Sequence, residues 1–530
     1  MASLCRLTSF PSSFWKFVPI TSSSRCASGV TGAQSTQTYT KNPERLKSID
    51  TLPGPGIIHW LPKPLNRIIV MVALVMFQDM RKNHEMILQN AKKYGKILRS
   101  IGFGVDIVSL SDPQLIERFC RTEDKYPMRF PIQPWIEYRK HNKKPLGILL
   151  EEGEKWHKSR SAMSRRLLRP QEIGTFLDAM NGVAADVLER LKTLRPKEGP
   201  NKNIMPNLEE ELFRWAFESA CTVFFDKRLG ILDKNSPKIH PEIDEFVYAF
   251  QNVLEKTVDL MFIPYKLQKM LRTKAYKTHT DSWDLLFRVS RELIDRKLNE
   301  LAEKVENNDK VDDGSFLAYL VAQNKLSEEE IYGSMTELLA AAVDTTSNSV
   351  LWALYCLARN PGCQERLYEE VTHVIPEGVA PTKDHFNEMK YLRAVMQETQ
   401  RLYPIISGIG RKVTEDMEIG GYKIPPGVFV VMDTYSISRS SEYFEDPYCF
   451  NPERWLSRVK GEKLNNFLML PFGFGVRSCI GRRLAEQEMQ TLLSLIIRNF
   501  RLEINKEVQP TSRLILVPDQ PLELRLIDRN

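Results

Sequence analysis

Several features that are common in other proteins are scarce in this 530-residue sequence. None of its eight cysteines forms a C-x-x-C pair, and their wide scatter argues against a disulfide framework, so most are expected to be buried thiols in a reducing compartment. We find no internal repeat. Because no stripe of Lys and Arg is interleaved with aromatics, nucleic-acid binding is not indicated. The net charge of +7 better suits an acidic protein partner or an anionic membrane surface.

Long hydrophobic runs are also missing. The longest apolar run covers only residues 68–77, whereas a helix that crosses a bilayer needs about 20 apolar residues. We therefore predict no transmembrane anchor. The run is still long enough to enter one leaflet of a membrane, with Arg81 and Lys82 at the level of the head groups.

Acidic residues are absent from residues 1–43, and the first one is Glu44. Basic residues together with many Ser and Thr are typical of a mitochondrial presequence, and the segment lacks the continuous apolar core of a secretory signal. A tail without a targeting role is the alternative. We predict a presequence at residues 1–43, a Pro/Gly hinge at 44–56 and one large folded domain at 57–530.

Helical periodicity dominates residues 80–400. The clearest helix opens with a capping box formed by Ser327 and Glu330, runs to about Arg359 and stops before Pro361. It is apolar on most sides, so we expect it to be buried. Short strands are predicted at residues 96–102, 107–110, 417–424 and 428–432. The predicted fold is mainly α with a small β-sheet region.

One cysteine lies in an unusual loop. Residues 471–481 read PFGFGVRSCIG, and a helix is predicted from about Arg482 to Asn499. A cysteine at a helix entrance is close to the positive end of the helix dipole and to unpaired N–H groups, which favour a thiolate and can hydrogen-bond its sulfur. Gly481 allows a flat cofactor to approach the backbone closely. The residues alone leave open a cofactor ligand, a redox-sensing thiol or a structural cysteine at position 479.

The pattern F-G-x-G-x-R-x-C-x-G, from Phe472 to Gly481, resembles the haem-binding signature of cytochromes P450. The resemblance covers the chain from about residue 50 to the C-terminus. It implies the cytochrome P450 fold for the domain at 57–530, which would bind haem b. It also implies that Cys479 is the axial ligand of the haem iron. A thiolate ligand pushes electron density onto iron and favours O–O cleavage, so O2 is the expected oxidant.

Two further motifs fit this family. Glu398 and Arg401 match its E-x-x-R, and Arg454 closes its P-E-R. The resemblance implies that these three residues form a buried structural ion triad behind the haem, although E-x-x-R alone is a common surface pair.

The long helix contains a third motif, residues 341–346 (AAVDTT), which resembles the family's oxygen-binding sequence. The resemblance implies that Thr345 hydrogen-bonds dioxygen and that Asp344 feeds protons towards it. Burying an acid and a hydroxyl in an apolar helix costs free energy unless the two groups have a function or a local hydrogen-bond partner. The chain departs from the pattern at Ala342, where the family usually has Gly.

The two haem propionates need cationic or N–H partners. Trp156 and Arg160 match the family's W-x-x-x-R, and Arg411 and Arg477 are the other partners that the resemblance implies. Each of these arginines, taken alone, would be read as a solvated surface charge.

A presequence without a membrane helix is typical of the mitochondrial members of the family. The resemblance implies electrons from NADPH through a ferredoxin reductase and an acidic, adrenodoxin-like two-iron ferredoxin, and a peripheral location on the matrix side of the inner membrane. Opposite charges steer such docking. Arg393, Arg482 and Arg483 fill three of the family's docking positions, whereas the fourth is Gln397.

Several stretches, such as residues 134–139, 225–230 and 278–283, look like the vitamin D and sterol hydroxylases, of the secosteroid 24-hydroxylase or sterol 27-hydroxylase type. We therefore expect a monooxygenase that acts on a sterol or secosteroid. An apolar pocket is expected, because such substrates are apolar. The candidate lining residues are Trp135, Ile148, Leu149, Met335, Leu339, Ile405, Ile406 and Ile409.

Two other functions are compatible with a haem-thiolate site. One is a haem-thiolate isomerase that rearranges peroxides without external electrons, and the other is a non-enzymatic haem-thiolate gas or redox sensor. The isomerases tend to lose the acid–threonine pair, and a sensor needs neither that pair nor a basic docking face. Asp344 and Thr345 therefore favour the monooxygenase.

Overall fold

The computed structural model describes residues 46–55, 79–102, 104–233, 241–307, 314–456 and 465–529. The predicted presequence (1–43) and the apolar run (68–77) lie outside the described residues, and the three-part division of the chain stays a prediction. Residues Leu46–Asn530 form one compact unit. Within the predicted hinge, Lys47–Ser48 pairs with a strand of a small sheet and Leu52 is fully buried.

The α-helices are α1 Asn83–Tyr94, α2 Pro113–Arg121, α3 Gln133–His141, α4 Gly153–Leu168, α5 Pro170–Gly174, α6 Leu177–Leu194, α7 Leu208–Phe225, α8 Pro241–Phe262, α9 Tyr265–Met270, α10 Lys274–Glu306, α11 Phe316–Gln323, α12 Glu328–Arg359, α13 Pro361–Val374, α14 Lys383–Glu388, α15 Lys390–Leu402, α16 Thr434–Ile437 and α17 Arg482–Asn499. Among the residues described, no helix is long and apolar enough to cross a membrane.

The strands are β1 Lys47–Ser48, β2 Ile97–Gly102, β3 Val105–Leu110, β4 Met128–Arg129, β5 Ile409–Lys412, β6 Met417–Ile419, β7 Tyr422–Ile424, β8 Phe429–Met432, β9 Phe500–Ile504, β10 Pro510–Arg513, β11 Ile515–Pro518 and β12 Leu524–Asp528. The main sheet has the order β2-β3-β8-β5-β4, with β3 and β8 parallel and the other pairs antiparallel. The order β1-β7-β6 forms a second sheet, and β10-β11 and β9-β12 are two-stranded. The mainly α fold with a small β region is confirmed.

Helix α12 runs through the middle of the helical part. Its capping box is formed as predicted, because Glu330 N donates to Ser327 Oγ (3.3 Å) and Ser327 N donates to the Glu330 carboxylate (2.7 Å). The helix packs against α7, α10, α15 and α17, and most of its side chains are buried. At 1.5 Å per residue it is about 48 Å long, so it crosses the whole domain.

The predicted strand at residues 417–424 is two strands in the structure. Gly420 and Gly421 turn the chain between β6 and β7, with φ of 56° and 82°. These angles lie in the left-handed region that glycine adopts without strain, and the alternating apolar pattern on either side had concealed the turn.

Candidate active site

The loop before α17 presents Cys479. Gly473 and Gly475 have φ of 75° and 67°, which lets the chain fold back so that Cys479 N donates to Phe472 O (2.7 Å). Gly481 is the N-cap of α17, which begins at Arg482 as predicted. The loop is thus a tight turn, and it places the Cys479 thiol two residues before the N-cap of the helix.

The Cys479 thiol is accessible although protein surrounds it, which indicates that it faces a space inside the protein. Its side chain is accessible, whereas the other described cysteines are buried or half-buried. Burial by the surrounding protein nevertheless raises the pKa of the thiol, against a hydrogen bond from Gly481 N–H and the charges of Arg160 and Arg129. The N–H group at the helix entrance thus lowers the pKa of the free thiol, but burial outweighs it. Coordination to a metal ion would deprotonate the thiol outright, which the helix end does not achieve by itself.

Four arginines form a cluster near this thiol. Arg477 donates to Pro127 O (2.8 Å) and Glu151 O (3.2 Å), and its guanidinium lies 3.7 Å from the Trp156 ring centre. Arg477 also pairs with Glu152. The predicted partners Trp156 and Arg477 are therefore in direct contact.

The other three are Arg129, Arg160 and Arg411. Strands β4 and β5 place Arg129 directly opposite Arg411, and Arg129 donates to Arg477 O (3.0 Å). Arg411 pairs with Glu123 (2.8 Å), but its second terminal nitrogen is buried without a partner in the described chain. Like charges directly opposite on a sheet are destabilising unless an anion lies between them.

The pKa values of these arginines show the excess of positive charge. Burial and the charge of Arg129 lower the pKa of Arg160 to about 10. Burial also lowers the pKa of Arg477 to about 9. The charge of Glu152 opposes this shift, and the charges of Arg129, Arg411 and Arg160 add to it. In the described structure Glu123 pairs with Arg411 and Glu152 pairs with Arg477, so two carboxylates stand against four arginines. The cluster therefore fits the two propionates of a haem whose iron would be held by Cys479.

Arg129 was not predicted from the sequence. It lies in a two-residue strand without a motif, and only its register with Arg411 brings it to the site. We expect the Arg129→Met variant to lose haem about 10- to 100-fold faster than the parent, because one charged hydrogen-bond donor to the propionates is removed. Haem transfer to excess apomyoglobin measures this rate. Arg118→Met, an exposed arginine of α2, is the control, and equal rates in both variants would contradict the assignment.

One face of helix α12 keeps accessible surface in the middle of the helix. Ala341, Ala342, Thr345 and Ser349 are half-buried in a helix that is otherwise almost fully buried, and they share this face by their spacing. The Thr345 hydroxyl donates to Ala341 O (2.7 Å). A hydroxyl that is held by its own helix and faces a cavity can turn towards a ligand there.

Asp344 lies beside this face and is buried. One carboxylate oxygen is 3.5 Å from Asn348 Nδ2, and the other has no partner among the described residues. Burial raises the pKa of Asp344 to about 7, with only the charge of Arg513 opposing it. The carboxyl group therefore exchanges a proton near neutral pH, which is suitable for general acid–base work.

Glu398 lies at the centre of a buried network. Its carboxylate accepts from Arg401 Nε and Nη2 (both 2.8 Å), Asn451 N (2.9 Å), Arg454 Nε (3.0 Å) and Trp455 Nε1 (2.9 Å). Arg401 also donates to the carbonyl groups of Ser438, Pro447 and Cys449. The structure thus brings Glu398, Arg401 and Arg454 together and fastens α15 to residues 438–455.

The three docking candidates are on the surface. Arg393 is exposed on α15, one turn before the exposed Gln397. Arg482 and Arg483 are half-exposed, and both approach Glu486, at 2.9 Å and 3.8 Å. Glu486 therefore reduces the local positive charge that the sequence alone suggested.

The pocket candidates divide into two groups. Trp135, Ile148, Met335 and Leu339 are at most 4% exposed and act as packing residues, with Trp135 Nε1 donating to Thr257 Oγ1 (2.6 Å). The other four keep accessible surface with which they can contact a ligand: Leu149, Ile405, Ile406 and Ile409.

Comparisons with known proteins point to one family. A family model described as cytochrome P450 matches residues 62–526. Cytochrome P450 27C1 of Danio rerio is 33% identical over 489 residues, which cover 92% of this chain and 88% of the relative. The mitochondrial 1,25-dihydroxyvitamin D(3) 24-hydroxylase of Rattus norvegicus is 36% identical over 468 residues, 88% of each chain.

The mitochondrial sterol 26-hydroxylase of Rattus norvegicus is 34% identical over 495 residues, which cover 92% of this chain and 90% of the relative. The predicted resemblance to mitochondrial secosteroid and sterol hydroxylases is thereby confirmed. The chain belongs to the cytochrome P450 family and is a monooxygenase.

Proposed function

We propose that this enzyme inserts one oxygen atom of O2 into a sterol or a vitamin D-like secosteroid. The observation that carries the proposal is the similarity, over most of the chain, to relatives named for a secosteroid and for a sterol. The accessible residues at positions 149, 405, 406 and 409 are all aliphatic, which suits a substrate of this kind.

The chain's own residues have distinct roles in this proposal. Haem supplies the binding and reductive activation of O2. Cys479 holds the iron, and the four arginines hold the propionates. Thr345 presents its hydroxyl to the cavity, and Asp344 holds an exchangeable proton next to it. The apolar wall excludes water and orients the substrate.

Replacing Asp344 by asparagine tests the proton role. A general acid contributes typically 10²- to 10⁴-fold, so we expect kcat of Asp344→Asn to fall about 100-fold or more with substrate binding unchanged. Burial raises the carboxyl pKa from its ordinary value of 3.8 to about 7, so the parent loses stability as pH rises between these two values, and the full cost is present above pH 7. The variant lacks this ionisation, so its stability relative to the parent should rise across that window and level off above pH 7. Steady-state kinetics and thermal unfolding at pH 5 and 8 measure both effects, and an unchanged kcat would exclude the role.

The electron donor in this proposal is an acidic two-iron ferredoxin, reduced by NADPH through its reductase. Arg393, Arg482 and Arg483 are all on the surface, and the last two begin the helix that follows the ligand loop. Electrons would thus enter near Cys479. Opposite charges would steer the ferredoxin to this face.

A mitochondrial location on the matrix side of the inner membrane is part of the proposal. Around α9, Ile263, Leu267, Met270 and Leu271 are 39–71% exposed. Exposed basic residues alternate with them, including Lys266 and Arg272. An apolar and basic surface of this kind suits peripheral contact with an anionic membrane.

Turnover on a panel of sterols and secosteroids tests the function. The purified chain lacking residues 1–43 would be given ferredoxin, ferredoxin reductase and NADPH, with products read by mass spectrometry. A product one oxygen atom heavier from either class supports the proposal. No product, despite a thiolate-type carbon monoxide spectrum, would contradict the substrate or the donor, and repetition with microsomal reductase separates these two.

A further inference from the structure

The backbone of residues 145–149 touches helix α12 at two glycines. Gly333 is the single glycine of that helix, and a Cβ there would lie 2.3 Å from Leu146 O. A Cβ on Gly147 would lie 2.4 Å from Gly333 O. Because no other residue fits at these distances, both glycines are required for the contact. The segment 145–149 is therefore seated directly on the helix backbone.

One turn later, Glu337 fastens this segment. Its two carboxylate oxygens accept one backbone N–H each, from Gly147 (3.1 Å) and from Leu149 (2.7 Å). The carboxylate is fully buried. Hydrogen bonds to an ionised acceptor in a buried site are stronger than those between neutral groups.

Arg139 of α3 is the counter-charge of Glu337. The closest atoms of the pair, Arg139 Nη2 and Glu337 Oε1, are 3.6 Å apart, and the Arg139 guanidinium lies 3.8 Å and 4.4 Å from the ring centres of Trp283 and Phe287. None of the three guanidinium nitrogens has a hydrogen-bond partner in the described residues. Burial raises the pKa of Glu337, and Arg139 is the main opposing cause. Each charge therefore depends on the other, and the pair joins α3 and α10 to α12.

Glu337 also lies at a fixed distance from Thr345. Glu337 and Thr345 lie on the same helix, eight residues apart, so about 12 Å of rigid helix separates them. The fastened segment carries Leu149, which keeps accessible surface, and Ile148, which packs behind it.

We propose that Glu337, with Arg139 as counter-charge, is a positioning residue that holds residues 145–149 against α12 and so sets the shape of the cavity wall. It thereby selects among bulky ligands without touching the reacting atoms. The step from ligand to substrate rests on the proposed function, because it takes this cavity as the substrate site. The step from Glu337 to the wall does not.

The Glu337→Gln variant of the haem-loaded enzyme tests the inference. The amide removes one acceptor and the charge, so we expect hydrogen–deuterium exchange at Gly147 and Leu149 to be about 10- to 100-fold faster. Binding of 4-phenylimidazole, followed by the haem absorption band, should weaken about tenfold as the wall loses its preorganisation, whereas binding of imidazole should change less than about twofold. Glu329→Gln, the same change at an exposed site of the same helix, should match the parent in all three measurements.

Two more variants separate positioning from general loss of structure. The double variant Glu337→Gln with Arg139→Met removes the unpaired charge, so it should regain folded, haem-loaded protein but not 4-phenylimidazole affinity. Gly147→Ala keeps both charges and displaces the segment by its methyl group, so it should also weaken 4-phenylimidazole selectively.

Equal losses for imidazole and 4-phenylimidazole, or unchanged exchange at residues 147 and 149, would overturn the inference. Neither measurement uses a sterol, so the failure of this inference and the failure of the proposed substrate class give different results. In that case the selective effect on 4-phenylimidazole persists while the sterol panel gives no product.

Discussion

Replacement of Cys479 by serine is expected to lower monooxygenase turnover by more than about 100-fold, because a serine oxygen does not donate electron density to iron as a thiolate does. The carbon monoxide difference band should also leave the position typical of thiolate ligation. Cys479 has an accessible thiol in the described chain, at the entrance of α17 and near the charges of Arg160 and Arg129. We expect the variant to fold, since serine retains the size and the loop hydrogen bond of Cys479 N to Phe472 O.

Cys363→Ser is the matched control. Cys363 is half-buried in α13, and its serine variant should keep both the spectrum and the turnover of the parent. A thiolate-type spectrum in Cys479→Ser would mean that another cysteine holds the iron, and this would contradict the whole assignment of the site.

Replacement of Glu398 by glutamine is expected to destabilise the folded enzyme by about 3–5 kcal/mol, because it leaves two buried arginines without their shared counter-charge. Arg401 is fully buried, and Arg454 is largely buried. An amide nitrogen in place of one oxygen would also face N–H donors instead of accepting from them. Urea unfolding and the fraction of haem-loaded protein after expression measure the loss.

Variants of graded severity test the role of the network. Arg454→Met should lower the free energy of unfolding by less than Glu398→Gln does, because Glu398 and Arg401 remain paired. Glu388→Gln, at an exposed site on the preceding helix, should stay within about 0.5 kcal/mol of the parent. A cost of less than about 1 kcal/mol for Glu398→Gln would show that the triad is not needed for the fold.

Much of the architecture follows from local sequence signals. The capping box at Ser327 and the proline at residue 361 fix the ends of α12, and the predicted helix after Gly481 has the observed limits. Such signals act over three or four residues, so they are visible in the sequence. The turn at Gly420 and Gly421 was missed because a strand pattern continues on both sides of it.

The site shows the same division between local and distant causes. The ten-residue pattern around Cys479 indicated the ligand, and a motif on one helix face indicated Asp344 and Thr345. Packing decided the rest. Burial outweighs the helix entrance at the free thiol, and Glu486 approaches two of the three docking arginines.

Local sequence patterns were sufficient to identify the family and the long central helix and to indicate the proposed iron ligand, because each depends on residues that are close in the chain. Only in the folded chain does Arg129 face Arg411, and only there does Glu337 hold residues 147 and 149, which are about 190 positions away. These pairs carry no periodicity or spacing that a sequence can display. They exist because strand register and close helix–loop packing bring buried charges together, and a buried charge without a partner is too costly to keep.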